Sequence, residues 1–140
     1  MKRQIQRSIR YIWPPLIVAV IIFYLCCLIP KDDIPKIKLE FFIPTDKLVH
    51  FIMFFGLSGV ASINYILARK GNIIILKLIV FAIIVPIIYG GIVELMQEKY
   101  FLGRGGDWYD FIADLLGSLA TIPFSLWFRN YLLNKKHDEI

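Results

Sequence analysis

Four long apolar runs, separated by short polar stretches, set the pattern of this chain. The first extends from about Trp13 to Ile29, with Pro14 and Pro15 near its start, where proline is tolerated. The second begins near Asp46 and reads LVHFIMFFGLSGVASINYILA before Arg69 and Lys70. The third covers about Ile73 to Gln97, with Pro86 as an expected kink. The fourth covers about Trp108 to Phe128, with a second kink near Pro123. A helix rising 1.5 Å per residue needs about 20 predominantly apolar residues to cross a bilayer, and each run approaches that length. Pro30, Pro35 and Pro44 mark an irregular segment over Lys31–Thr45. No internal repeat interrupts the series. The expected architecture is therefore an all-α integral membrane protein, one domain over 1–140, with four transmembrane helices near 13–29, 46–68, 73–97 and 108–128.

Composition agrees with that reading. The chain is 58% hydrophobic and 19% charged, whereas a soluble domain is about half apolar and about a quarter charged. The net charge of +5 sits in clusters beside the apolar runs, without a basic face interleaved with aromatics, so nucleic acid is not an expected partner. On the four-helix map, Lys2, Arg3, Arg7, Arg10, Arg69, Lys70, Lys77, Arg129, Lys135 and Lys136 fall on one side. Lys31, Lys36, Lys38, Lys47, Lys99 and Arg104 fall on the other, offset by Asp32, Asp33, Glu40, Asp46, Glu98 and Asp107. The positive-inside bias then predicts a multi-pass cytoplasmic (inner) membrane protein with both termini and the Arg69–Lys77 loop in the cytoplasm. Tyr100, Phe101, Trp108 and Tyr109 would form an aromatic belt at the outer boundary. Cys26 and Cys27 are adjacent within an apolar run, which points to packing rather than redox or metal chemistry. Leu25 before Cys26 argues against a lipoprotein signal. The absence of a small-x-small cleavage site after the first run predicts a retained helix.

Ionisable residues interrupt the runs in three places: Asp46, Lys47 and His50; Glu94 with Gln97; and Arg104, Asp107, Asp110 and Asp114. All map to the same, outer face. Asp46 and His50 are four apart and share a helix face, as do Gly90, Glu94 and Gln97. Asp107, Asp110, Asp114, Gly117 and Thr121 form one stripe that turns from acidic to small. Its small part is expected to pack against Gly90, holding the acidic part opposite Glu94. Simpler roles exist for several of these residues. Asp107 can cap a helix, with Asp110 three residues on, and Asp46 has a similar capping role. Lys47, Lys99 and Arg104 can be interfacial residues that snorkel. Glu94 and Asp114 resist such readings. Glu94 lies at a helix C-terminus, where the macrodipole disfavours an anion. Asp114 lies about 10 Å deeper than the cap by helical rise. A charge at the bilayer centre costs about 2.5–3.5 kcal/mol on insertion scales, so retained ones usually pair, bind or titrate. Five carboxylates face only Lys47, Arg104 and His50, which calls for a shared proton, a bound cation or a ligand amine. The spacing matches no specific metal motif, and no cofactor is expected.

The segments DKLVHF (Asp46, Lys47, His50, Phe51), ELMQ (Glu94, Gln97), Arg104 and DWYDFIADLLG (Asp107, Asp110, Asp114, Gly117) resemble, in this order, the VanZ-like family of small bacterial membrane proteins. They span Asp46 to Gly117, about half the chain, and the first helix is similar only in character. The chain departs from the family at Asp114, where asparagine is common, and so carries an extra carboxylate. The resemblance implies a cell-envelope setting. The family's namesake is linked to resistance to the glycopeptide antibiotic teicoplanin.

Two functions are expected from these residues. In the first, Asp46, Lys47, His50, Glu94, Gln97, Arg104, Asp107, Asp110 and Asp114 bind an amphiphilic envelope molecule, either a lipid-linked cell-wall precursor or a lipoglycopeptide. Carboxylates would accept ammonium groups or sugar hydroxyls, with Gln97 and Arg104 orienting headgroup oxygens. In the second, the site is a membrane-embedded acid/base hydrolase or transferase using His50, Glu94 and Asp114, with Asp46 orienting the imidazole. No nucleophile is evident. Ser58 in the GLSG segment lies on the same helix as His50, about 12 Å away by helical rise, so that pair cannot form a dyad.

Overall fold

The computed structural model describes residues 2–29, 44–101 and 106–138. Among these the chain is helical, with no strand. Helix α1, Lys2–Phe23, continues into a π-helical turn, Tyr24–Leu28. Helix α2 is Thr45–Ala68. Helix α3 is Ile75–Tyr100 and contains a π-helical turn over Val80–Ile84. Helix α4 is Trp108–Asp138. Each contains a stretch long and apolar enough to cross a membrane: Tyr11–Leu28, Thr45–Ala68, Ile75–Tyr100 and Trp108–Lys135. This is the architecture of a multi-pass membrane protein. Segment 30–43, with Pro30, Pro35 and the charges of the irregular stretch, lies outside the described residues, as do Gly103, Arg104 and Gly105.

The helices run further than the apolar runs. Helix α4 continues ten residues past Phe128 because 129–138 holds neither glycine nor proline. Helix α1 likewise begins at Lys2, ahead of its apolar run, so Pro14 and Pro15 lie inside the helix and not near its start as the apolar run suggested. The wide turn over Val80–Ile84 lies just before Pro86, which cannot donate to the carbonyl four residues back, so the register loosens there.

Helices α2 and α4 share the most extensive interface. Gly117 lies directly on the Phe51 carbonyl, and a Cβ there would also come within 3.0 Å of the Phe55 nitrogen. One turn on, the Thr121 hydroxyl donates to the Phe55 carbonyl at 3.2 Å. Ser58, Ser62 and Ser118 are fully buried nearby, small enough for the backbones to approach. The small part of the α4 stripe therefore packs on α2, not on Gly90 of α3 as its spacing suggested. Gly90 does something else: it leaves room for the Asp114 carboxylate, whose Oδ2 would lie 2.8 Å from a Cβ at that position. An apolar cluster of Ile22, Cys26, Cys27, Phe54, Leu57 and Val93 joins α1 to α2 and α3. A second cluster, Ile66, Leu78 and Ala82, lies further along α2. Leu16, Val20, Ile52, Phe81, Leu95 and Phe124 point outward, as a lipid-facing surface requires.

The α2–α3 turn is closed by Gly71 at φ +82°, whose N–H bonds the Ile66 carbonyl at 3.0 Å. This is a Schellman-type helix end in which Lys70, at φ +51°, takes the left-handed position and donates to the Leu67 carbonyl at 3.1 Å, with Gly71 following it. Arg129 Nε reaches the Gly71 carbonyl at 3.4 Å. A Cβ at Gly71 would be 2.9 Å from Leu133 Cδ2. Gly71→Ala is expected to lower stability by about 1–2 kcal/mol, mainly through the positive φ, because the Leu133 side chain can shift. Chemical denaturation of the purified variant checks this, and an unchanged midpoint would contradict it.

Candidate functional site

Three helix ends meet at the end of the bundle opposite the Gly71 turn. Helix α2 brings Asp46, Lys47 and His50 in its first two turns, α3 brings Glu94 and Gln97 in its last two, and α4 brings Asp107, Asp110 and Asp114 from its start. Helical periodicity places members of each set on one face. The close approach at Gly117 and Gly90 then turns those faces towards one another.

The outer layer is built on Lys47. Its Nζ lies 2.7 Å from Asp107 Oδ2, 2.9 Å from Asp110 Oδ1 and 3.3 Å from Asp46 Oδ2. It also stands 5.8 Å from the centroid of the Tyr109 ring. Asp107 plays two roles at once. Its Oδ1 accepts the Tyr109 N–H at 2.9 Å, capping α4, while its other oxygen takes the lysine. Asp46 is the most exposed of the three carboxylates, at 58% of its side chain.

The inner layer is built on His50, which is buried. Its Nδ1 lies 3.0 Å from Asp114 Oδ1 and 3.9 Å from Glu94 Oε1, and its Nε2 lies 4.0 Å from Asp110 Oδ2. Asp114 is 1% exposed. The imidazole is thus oriented by Asp114, not by Asp46 as the four-residue spacing suggested. Sharing a helix face did not bring those two side chains together, because His50 turns inward while Asp46 stays beside Lys47 at the surface. With its proton on Nδ1, His50 donates to Asp114 and leaves Nε2 as a lone-pair donor. Glu94 accepts the backbone N–H of Asp107 on Oε2 at 3.0 Å, tying α3 to the start of α4. Glu94 Oε1 and Asp114 Oδ2 are buried and accept no hydrogen bond from any described residue.

Gln97 stands apart from this set. Its Nε2 donates to the Cys26 carbonyl at 2.7 Å, binding α3 to the π-helical turn of α1. Tyr89 makes a parallel link, donating to the Ala19 carbonyl at 2.6 Å. Lys99 is exposed, as an interfacial lysine would be. Arg104 lies outside the described residues.

Beside the cluster, α3 and α4 frame a groove of about 340 Å³. Ile88, Ile92, Leu95 and Phe111 form its apolar walls, while Glu94, Glu98 and Asp107 also line it. Gly91 also lines it, and a Cβ there would make ordinary van der Waals contact with the Phe111 ring, at 3.5 Å. Glu98 had appeared in the sequence only as a charge offset. The Ile88, Ile92, Leu95 spacing of four and three was the available signal for the groove wall, but such a stripe reads equally as lipid-facing surface.

This arrangement can accept cations, ammonium groups or hydroxyls at its carboxylates, and a hydrocarbon chain beside them. It also holds a histidine whose free nitrogen can take a proton or a metal. The chain matches no family model, no curated protein and no solved structure.

Proposed function

We propose that this is a VanZ-like protein of the bacterial cytoplasmic membrane that seats an amphiphilic envelope molecule at its carboxylate cluster. In this reading both termini are cytoplasmic and the cluster faces outward. The distribution of basic residues supports that orientation, and the ordered segments from Asp46 to Gly117 support the affiliation.

One observation carries the reading: Glu94 belongs both to the buried cluster and to the lining of an apolar groove. A groove of purely apolar walls would be no more than a lipid crevice. A carboxylate held at its side gives it a preference for one kind of headgroup. The chain of a lipid-linked precursor or lipoglycopeptide would lie along Ile92, Leu95 and Phe111. Its amine or sugar hydroxyls would meet Glu94, Glu98 and Asp107. Lys47 keeps Asp107 and Asp110 in place, and Gln97 acts on α1 rather than on the headgroup.

A long-chain amine carrying a diazirine near its head tests this, with the matching long-chain alcohol compared in the same nanodiscs. The amine is expected to label Ile92, Leu95 and Phe111 more strongly than the alcohol does. Equal labelling by both, spread over all outward faces, would sink the proposal.

The His50–Asp114 pair favours a second reading, an acid/base enzyme on a lipid-linked substrate, with His50 as base and Glu94 as acid. Ser58 supplies no nucleophile for it, being fully buried on α2. Product formed by purified protein and lost in His50→Ala would establish this reading over simple binding.

A further inference from the structure

We infer that His50, Glu94 and Asp110 form a binding site for one divalent transition-metal ion, with Asp114 as the residue that orients the imidazole. One ring nitrogen of His50 and one carboxylate oxygen each from Glu94 and Asp110 lie within 4.8 Å of one another. Ligand atoms around such an ion sit about 2.0–2.2 Å from it, hence about 3–3.5 Å apart.

The unsatisfied oxygens point the same way. Glu94 is 8% exposed, and its Oε1 accepts no hydrogen bond from any described residue although it lies 3.9 Å from His50 Nδ1, the nitrogen that Asp114 holds. A carboxylate oxygen left so in a buried site is costly unless something positive meets it. Lys47 does not. Its ammonium is taken by Asp46, Asp107 and the Oδ1 of Asp110. That also explains why the other grouping of carboxylates, Asp46 with Asp107 and Asp110, needs no ion: a lysine already sits among them. The Oδ2 of Asp110 remains turned to His50 Nε2 at 4.0 Å.

Asp114 completes the pattern. A metal-binding histidine usually donates its other ring N–H to a carboxylate, which fixes the tautomer and strengthens the ligand. Asp114 Oδ1 stands 3.0 Å from Nδ1, and the absence of a side chain at Gly90 makes space for it. With Nδ1 protonated, Nε2 keeps its lone pair on the side of Asp110 Oδ2. One imidazole with two carboxylates suits Zn²⁺, Mn²⁺ or Fe²⁺ better than Mg²⁺ or Ca²⁺, which take oxygen ligands. Three protein ligands leave a position open for water or a substrate oxygen. This inference goes beyond the amphiphile reading and stands without it.

Untagged, full-length protein in nanodiscs, stripped with chelator, would be titrated with Zn²⁺ alone and then with Mn²⁺ alone, without added amphiphile. Bound metal would be counted by mass spectrometry. Wild type is expected to take up one ion per chain. His50→Gln and Asp110→Asn are expected to lose it, and Asp114→Asn to bind about 10–100-fold more weakly. X-ray absorption on the wild-type complex should show one imidazole nitrogen, a readout that does not depend on any variant folding. No stoichiometric ion in wild type, an ion without imidazole, or equal uptake by folded variants would each overturn the site.

Discussion

Gly117→Val is expected to destabilise the protein by about 3 kcal/mol or more and to leave little folded material in detergent. The reason is backbone proximity. Gly117 lies on the Phe51 carbonyl and near the Phe55 nitrogen, so the first added carbon meets main chain rather than a movable side chain. Overpacked cores typically lose about 1–3 kcal/mol when side chains can shift. Here α2 and α4 must separate, which also strains the 3.2 Å bond from Thr121 to the Phe55 carbonyl. The separation would carry Asp110 and Asp114 away from Lys47 and His50. Gly117→Ala should show a smaller loss in the same direction. Monodispersity and thermal unfolding in nanodiscs check both, and a Gly117→Val protein as stable as wild type would mean that the helices do not approach this closely.

The second large effect is expected at Lys47. Lys47→Met should destabilise the site end by about 2 kcal/mol, through three carboxylates that lose their shared cation. Removing one partner of a buried ion pair typically costs about 3–5 kcal/mol, whereas exposed pairs are worth about 0–1 kcal/mol. This set lies between those limits. The Asp110 side chain is 15% exposed and Lys47 20%, but Asp107 is 40% and Asp46 58% exposed. Most of the loss should therefore trace to Asp110. A double-mutant cycle with Asp110→Asn is expected to recover most of it, and the penalty should shrink in high salt only at the exposed partners. A coupling energy near zero would show that the lysine is merely an interfacial residue extending to the surface.

The four helices were legible because each apolar run is long and punctuated by charge or proline. Their ends were less so. Apolarity reports which residues suit lipid, whereas a helix continues until a breaker or an end stops it, as α4 does past Phe128. The turn over Val80–Ile84 shows how a kink at Pro86 is accommodated, which no spacing rule specifies. At the site, spacing identified residues that share a face, and Asp46, Lys47, His50, Glu94, Asp107, Asp110 and Asp114 do gather at one end. It could not choose partners across helices. That choice depends on helix rotation, and rotation is set by where glycine lets backbones or side chains come close. Gly117 against α2 and Gly90 beside Asp114 decide that His50 meets Asp114 rather than Asp46. The partner of Gln97 was hidden for a related reason. It is a main-chain carbonyl, Cys26, which side-chain patterns do not reveal.

Glu94 and the groove beside it are proposed to hold an amphiphile. The most direct test is native mass spectrometry of lipids that co-purify with wild type, Glu94→Gln and Gly91→Leu. The first substitution removes a charge at almost constant shape, and the second fills the groove from its open side. Wild type is expected to retain a defined polyprenyl- or acyl-linked species carrying amine or sugar groups. Both folded variants should retain at least about tenfold less, equivalent to about 1.4 kcal/mol. The same lipids at the same occupancy in all three proteins would contradict the account.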